Sequence, residues 1–132
     1  LTGTVVHGKQ LGRTIGFPTA NLQLPSGTRK HPVPRGVYAC LATLHNGTTH
    51  PAMVNIGHRP TVDAPGAPDS IEAHIIGVQT DLYDTPLTLH FISRLRQERA
   101  FPSLQALQAQ LAQDRRQTLD SIPPRLVHQN KK

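Results

Sequence analysis

The chain is poor in the residues that crosslink small domains and in those that stack on nucleic-acid bases. Its 132 residues include one cysteine, Cys40, so an internal disulfide and a cysteine-rich zinc site are excluded. There are three phenylalanines, two tyrosines and no tryptophan, which is less stacking surface than a single-strand binder needs. We therefore expect Cys40 to be a small apolar residue in a strand, and we place nucleic acid second among possible partners.

Long apolar runs and acidic residues are also scarce. No apolar run approaches the roughly 18 residues of a membrane span, and the first residues lack the regions of a signal peptide. We expect a soluble, cytoplasmic protein with no membrane contact. Eight acidic residues against fourteen Lys and Arg give a formal charge of +6, which indicates an anionic partner without identifying it. Eight histidines show no metal-binding spacing, so we expect no histidine-based metal cluster.

The distribution of turn residues favours many short strands. Ten glycines and twelve prolines interrupt a chain whose length suits one domain, and residues 1–96 follow mostly a period of two. Asn46-Gly47 predicts a type I′ hairpin turn. In the last strand, alternation predicts one face made of Leu87, Leu89, Phe91, Ser93 and Leu95. About six strands are expected, including segments at Thr2–His7, Val37–Leu44, Thr48–Ile56, Ile71–Ile75 and Leu87–Arg96.

The period changes after Phe101-Pro102. Ser103 is a suitable N-cap, and Leu104, Leu107 and Leu111 fall on one helical stripe, which predicts a helix over residues 103–119. Residues 122–132 are expected to be a loosely ordered tail. The sequence therefore predicts a mainly β single domain over 1–132, with an antiparallel sheet closed into a barrel over about 1–100 and the helix packed outside.

A glycine-punctuated loop is predicted from Gly8 to about Leu24. Gly8, Gly12 and Gly16 recur every four residues after the first strand. Glycines let backbone N-H groups approach an anion, so the loop could wrap phosphate oxygens. The pattern alone is a weak signal, and a mobile loop with turn glycines is the simpler explanation of it.

The end of this loop reads Pro-Thr-Ala-Asn. In an extended conformation Thr19 and Asn21 project to the same side with a hydroxyl and an amide oxygen. Both are hard neutral ligands of the kind that Mg²⁺ accepts when substrate phosphates supply the rest. A Thr or Asx turn that closes the loop is the alternative.

Glu72 is the third candidate for chemistry. Ile71, Ala73 and Ile75 alternate with Glu72 and His74, so the acid and the histidine lie opposite the apolar set. A carboxylate in this position is a solvated side chain unless its face lines a pocket. If it does, Glu72 is placed to act as a general base.

Several segments, taken in order from about residue 3 to 114, resemble the riboflavin kinase domain. That domain is usually the C-terminal half of a bacterial bifunctional riboflavin kinase/FAD synthetase. The block G-R-x-x-G-x-P-T-A-N and the later E-x-H are the most specific parts. The matching segments are GTVVHGKQLGRTIGFPTANL at 3–22, GVYA at 36–39, VNIGHRPT at 54–61, IEAHI at 71–75, DLY at 81–83 and RQERAFPSLQAL at 96–107.

The resemblance implies an ATP-dependent riboflavin kinase that converts riboflavin and ATP into FMN and ADP. It implies a six-stranded antiparallel Greek-key barrel with a C-terminal helix. Glu72 matches the catalytic base, and Thr19 and Asn21 match the Mg²⁺ ligands. The remaining implied contacts are Gly8, Arg13 and Gly16 over the nucleotide phosphates, Ile75 and Tyr83 beside ATP, and Arg96, Glu98, Arg99, Phe101 and Ser103 around the flavin.

The chain departs from the family pattern at two positions. Gly77 stands where the family commonly has a polar residue, often Asp, near the nucleotide, and Asp84 stands where a glycine commonly follows D-L-Y. No H-x-G-H nucleotidyltransferase motif occurs, so FAD synthesis is not expected, and an absent N-terminal FAD synthetase domain is a possible partner. Two other readings stay open, a flavin- or nucleotide-binding module with little activity and a basic barrel that binds nucleic acid.

Overall fold

Six strands and one helix make up the part of the chain that the structure describes. A computed structural model describes residues 1–6, 16–25, 33–57, 70–78 and 81–123. The elements are β1 (Thr2–Val6), β2 (Ala20–Gln23), β3 (Gly36–Thr43), β4 (Thr49–Gly57), β5 (Ser70–Ile75), β6 (Pro86–Arg96) and α1 (Leu104–Ser121).

The strands form a closed antiparallel barrel in the order β1-β2-β5-β4-β3-β6. Strands β3, β4 and β5 are sequential neighbours, and β6 returns to pair with β3, which is a Greek-key arrangement. Each of these six strands has a neighbour on both sides, so closure removes the sheet edges where another chain could add a strand. The predicted barrel class is confirmed.

The barrel interior is filled by the inward residues of each strand. Tyr38, Cys40 and Ala42 on β3 face Val54 and Ile56 on β4 within one apolar cluster. Cys40 is fully buried, as expected, and burial raises the pKa of its thiol to about 12.

The five residues predicted to share one face of β6 are buried only in the first part of the strand. Leu87 and Leu89 are 1% exposed, and Phe91 packs against the cluster. Beyond Phe91 the pairing of β6 with β3 shifts twice, so Ser93 and Leu95 do not continue the buried row. Irregular pairing of this kind bends a strand and redirects its side chains.

The outer face of the barrel is covered by α1, which contacts β3, β4 and β6. Val37, Ala39 and Met53 are buried although they do not belong to the interior cluster, because the helix covers them. In the part of the chain that the structure describes, no helix combines enough length and hydrophobicity to span a bilayer.

The helix begins where the sequence predicted and ends two residues later. The Ser103 hydroxyl accepts a hydrogen bond from the Ala106 amide at 3.1 Å, which confirms the N-cap. The buried stripe continues to Asp114 and Thr118, whereas Leu104 in the first turn is 52% exposed. Ile122, assigned to the loose tail, is only 4% exposed; residues 124–132 lie outside the described part.

Two local expectations were wrong. Residues 20–23, assigned to a loop, form β2 because they pair with β1 on one side and β5 on the other. The turn between β3 and β4 is not type I′, which needs positive φ at both central residues. Asp84 is the one described non-glycine residue with positive φ, and at this turn Gly47 alone has it. The Gly47 amide donates to the Leu44 carbonyl at 2.9 Å, as in a three-residue hairpin loop that ends on a left-handed glycine.

Gly77 and Asp84 both lie in the left-handed backbone region, with φ of +83° and +66°. A Cβ on Gly77 would meet no atom within 4 Å, so a side chain there costs conformational energy without a clash. We expect Gly77→Ala to lower the free energy of unfolding by about 1 kcal/mol. Gly77→Asn should cost less, because Asn tolerates this region. Chemical denaturation of both variants checks this; equal stability of the Ala variant and the parent would contradict it.

Candidate active site

Three polar residues form a row across adjacent strands on the outer face of the barrel. Glu72 on β5 pairs with Asn21 on β2 and with Asn55 on β4. Directly paired residues of an antiparallel sheet project to the same face. Their neighbours Ala73 and Val54 point into the interior cluster. The carboxylate of Glu72 therefore lies between two amide side chains.

Thr19 joins this row from the β2 side. Its hydroxyl donates a long hydrogen bond of 3.5 Å to Glu72 Oε1, while Asn21 is 8% exposed. The structure thus brings together the two predicted cation ligands and the predicted base, although they are about fifty residues apart in sequence.

His74 fixes the segment that leads into Thr19. Its Nδ1 lies 2.7 Å from the Pro18 carbonyl oxygen, so Nδ1 must carry the hydrogen because a carbonyl only accepts. The ring also meets Phe17 edge to face, with 5.3 Å between centroids. Burial lowers the pKa of His74, and the positive charge of Arg115 lowers it further, against the opposing effect of the Pro18 bond.

A cleft of about 280 Å³ contains Glu72 and much of the predicted flavin side. It lies between the outer face of the barrel, the segment 97–101 and α1. Its lining includes both apolar and polar side chains. The apolar lining includes Phe17, Val37, Met53, Phe101, Leu107 and Leu111; the polar lining is Thr19, Asn55, Glu72, His74, Arg96, Glu98 and Arg99.

A buried ion pair attaches Arg96, which lines the cleft, to α1. Asp114 is fully buried and accepts three hydrogen bonds from Arg96, at 3.1, 3.1 and 2.8 Å. Gln110 donates a further bond of 3.0 Å to Asp114 Oδ1. The carboxylate is therefore saturated with donors, as a buried charge requires.

The same network reaches Arg99 and Phe101. Gln110 Oε1 accepts a bond of 3.0 Å from Arg99. The guanidinium groups of Arg99 and Arg96 lie 4.8 and 5.5 Å from the centroid of the Phe101 ring, within cation–π distance. These three side chains form one connected wall.

On β4, Asn55 and Glu98 form a second polar contact in the cleft. Asn55 Nδ2 donates to Glu98 Oε2 at 3.2 Å. Asn55 Oδ1 is buried and has no hydrogen-bond partner within the described ranges. Gly57 makes room for this contact, because a Cβ there would collide with the Glu98 carboxylate.

Of the other predicted site residues, the four in the described part of the chain do not line the cleft. Ile75 is buried in the barrel interior. Tyr83 is 47% exposed, Gly16 is exposed with φ of +88°, and the Ser103 hydroxyl caps α1. Gly8 and Arg13 lie outside the described residues. The roles assigned to all of these remain predictions.

Sequence reasoning did not assign roles to Asn55, His74 or Asp114. His74 was placed on the polar face with Glu72 but given no partner. Asn55 could have been found only from the register of β4 with β5. Asp114 follows Leu107 and Leu111 on the same helical stripe, and a lone acid on such a stripe is a signal of a buried ion pair.

The oxygens beside Glu72 suit a hard cation that also binds phosphate. Among described residues, no group of three or more His, Cys, Asp or Glu side chains could hold a metal by itself. Thr19 donates its hydrogen to Glu72 and keeps lone pairs on the hydroxyl oxygen, and Asn21 adds an amide oxygen. Mg²⁺ uses few protein ligands when phosphates are present, so this donor set fits it.

Comparison with known proteins gives one consistent family. A family model described as flavokinase, riboflavin kinase, matches residues 1–122. The bifunctional riboflavin kinase/FMN adenylyltransferase of Escherichia coli K12 is 42% identical over 114 residues, which cover 86% of this chain and 35% of that protein. The chain thus spans 35% of the length of this curated relative.

Solved structures share the fold. The crystal structure of a macrolide-efflux protein from Streptococcus pneumoniae superposes with a TM-score of 0.80 and 32% identity, over 90% of this chain and 38% of that one. Riboflavin kinase from Trypanosoma brucei superposes with a TM-score of 0.62 and 22% identity, over 90% of this chain and 73% of that one. The latter likeness concerns the fold alone.

The saturated carboxylate of Asp114 predicts a large stability effect. Asp114→Ala leaves Arg96 and Gln110 without their acceptor. We expect the free energy of unfolding to fall by about 2–4 kcal/mol, somewhat below the range for a fully buried pair because the Arg96 side chain is 18% exposed. Asp120→Ala, an exposed acid on the same helix, should change it by less than about 0.5 kcal/mol. Urea unfolding compares them, and equal effects would refute the anchoring role.

Proposed function

Because the chain belongs to the riboflavin kinase family, we propose that it transfers the γ-phosphoryl group of ATP to the 5′-hydroxyl of the ribityl chain of riboflavin. The products are FMN and ADP. Proteins with different names share this fold, so the barrel alone does not identify the activity. The proposal depends on the residues around Glu72.

The observation that carries it is the position of Glu72 between two sets of side chains. On one side are Thr19 and Asn21, which suit phosphate-bound Mg²⁺. On the other side are Asn55 and the cleft that leads to Arg99 and Phe101. A base for phosphoryl transfer must lie where the acceptor hydroxyl meets the γ-phosphoryl group. This arrangement supports Glu72 in that role.

In the proposed reaction, the 5′-hydroxyl oxygen of riboflavin forms a bond to the γ-phosphorus in line with the leaving group. The bond between the γ-phosphorus and the bridging oxygen breaks, and ADP leaves. Glu72 accepts the hydroxyl proton. Most of the rate increase in phosphoryl transfer comes from positioning and charge neutralisation, so the base has to be well placed more than strong.

Thr19 and Asn21 would hold Mg²⁺, which when bound neutralises phosphate charge. His74 holds the Pro18 carbonyl and thereby the backbone on which Thr19 stands. Gly8, Arg13 and Gly16 are proposed to contact the phosphates, and Ile75 and Tyr83 to lie beside the nucleotide.

The apolar lining of the cleft suits the isoalloxazine ring. Phe101 contributes an aromatic ring with Arg96 and Arg99 at cation–π distance, and Leu107 and Leu111 add apolar surface from α1. A planar, partly polar heterocycle needs such a surface with a few polar groups at its rim. We propose these residues, with Glu98 and the helix start at Ser103, as the flavin side.

The bifunctional relatives suggest a partner and a location. We propose that the chain works beside an N-terminal FAD synthetase (adenylyltransferase) domain; the name of the E. coli relative pairs riboflavin kinase with FMN adenylyltransferase in that protein. We further propose a cytoplasmic location, where ATP is available.

Incubation of the chain with riboflavin, ATP and Mg²⁺, followed by chromatographic detection of FMN, tests the proposal. Flavin binding without FMN formation would favour a binding module instead. No affinity for flavin together with tight, salt-sensitive RNA binding would favour the nucleic-acid alternative.

Replacing the proposed base separates chemistry from binding. Glu72→Gln keeps the side-chain shape and an oxygen that can accept from Thr19, but it cannot take a proton. We expect kcat to fall by roughly 100-fold or more while the Kd for riboflavin changes little. Asp120→Asn is the matched control, an acid-to-amide change on the exposed face of α1. Turnover near that of the parent would exclude Glu72 as the base.

A further inference from the structure

Asn55 lines the cleft, and its amide oxygen is an acceptor without a hydrogen-bond partner in the described part of the chain. Its orientation is determined by Glu98, because a carboxylate oxygen can only accept and must face Nδ2. Oδ1 therefore points the other way, is buried, and has no partner in the described ranges of the chain. A buried acceptor without a donor costs free energy, and such groups in native proteins call for an explanation.

The Asn55–Glu98 contact depends on a glycine in β4. Gly57 lies two residues beyond Asn55 on the same strand, and its missing side chain is what allows the Glu98 carboxylate to approach. Gly57 has no positive φ, so its role here is space and not backbone conformation. The contact thus holds the amide of a cleft-lining residue in one orientation, with its oxygen turned away from Glu98.

The register defines what this oxygen faces. Asn55 is directly paired with Glu72, and side chains of such pairs start about 4.5–5.5 Å apart. A group that donates to Asn55 must therefore lie close to the group that reacts at Glu72. It also needs an N-H or O-H hydrogen, since Asn55 Oδ1 only accepts.

In riboflavin the atoms nearest the reacting hydroxyl carry the secondary hydroxyls of the ribityl chain. The imide N-H of the flavin lies at the opposite end of the molecule, beyond the ring system. We propose that Asn55 Oδ1 accepts a hydrogen bond from a secondary hydroxyl of the ribityl chain, and that Asn55 thereby selects flavins with a hydroxylated chain. This inference depends on the proposed riboflavin kinase function.

The physical effect on specificity should be asymmetric. A site built to bond a hydroxyl discriminates against an analogue that lacks it, because the acceptor of the site is then buried without a partner. Removing the acceptor should abolish the preference for the hydroxylated flavin. It should not weaken the binding of all flavins equally. This distinguishes recognition of the hydroxyl from a general packing role.

The test compares riboflavin with a flavin that carries a 5-hydroxypentyl chain, which keeps the terminal hydroxyl and lacks the secondary ones. Dissociation constants are measured by flavin fluorescence for the parent and for Asn55→Ala. We expect Asn55→Ala to weaken riboflavin binding by roughly 5- to 50-fold and the analogue by less than about 3-fold. The preference of the parent for riboflavin should largely disappear.

A second variant, a control variant and a check of folding complete the test. Asn55→Leu removes the acceptor but keeps a similar shape, so it serves if the alanine variant is unstable. Gln113→Ala, which removes an exposed amide on α1 outside the cleft, should leave both affinities unchanged. Thermal unfolding of every variant reports whether the fold is retained.

Two results would overturn the inference alone. If Asn55→Ala and Asn55→Leu weaken the binding of both flavins equally, Asn55 acts by packing. If the affinity for riboflavin does not change, the Asn55 oxygen makes no contact with it. Failure of the parent chain to bind either flavin would instead overturn the proposed function, and the inference with it. Parent FMN formation measured alongside distinguishes the two cases.

Discussion

The pairing of β5 with both β2 and β4 is the constraint on which the site depends. A strand with two neighbours fixes which side chains stand beside its own, and here it places Asn21 and Asn55 on either side of Glu72. A one-residue slip would turn Glu72 into the barrel and bring Ile71 or Ala73 outside. The apolar alternation of β5 makes that slip costly, because Ile71 and Ala73 fill the core. Core packing therefore determines the position of the carboxylate.

The helix supplies the other half of the cleft, and it does so through polar contacts. Asp114 and Gln110 on α1 bind Arg96 and Arg99, and both guanidinium groups lie against the Phe101 ring. An apolar helix face could have packed on the barrel with comparable stability. The ion pair with Arg96 and the Gln110 bond with Arg99 instead hold two guanidinium groups at the cleft, which an apolar contact cannot do.

The sequence predicted what depends on local pattern and missed what depends on pairing. Alternation located Glu72 opposite a buried row, and Ser103 located the start of α1, because each signal lies within a few residues. The strand Ala20–Gln23 was read as loop, since four residues carry too little periodicity and its two partners are distant in the chain. The hairpin at Asn46-Gly47 was assigned the wrong turn because a three-residue loop uses the same glycine. Asn55 had no local signal at all, since only its register with Glu72 gives it a role.

The two amides beside Glu72 differ in a way that matters for the reaction. Asn21 and Thr19 offer two neutral oxygens on the side where the proposed function puts the phosphates, whereas the Asn55 nitrogen bonds Glu98 and its buried oxygen has no partner among the described residues. In the proposed reaction, neutral ligands on the first side would leave the cation free to offset phosphate charge. A neutral acceptor on the second side can bond a hydroxyl without adding a negative charge beside the base, which would raise the pKa of a neighbouring carboxyl. In the proposed reaction, the two flanking amides would orient the cation and the substrate hydroxyl, and Glu72 between them would be the carboxylate that takes the proton.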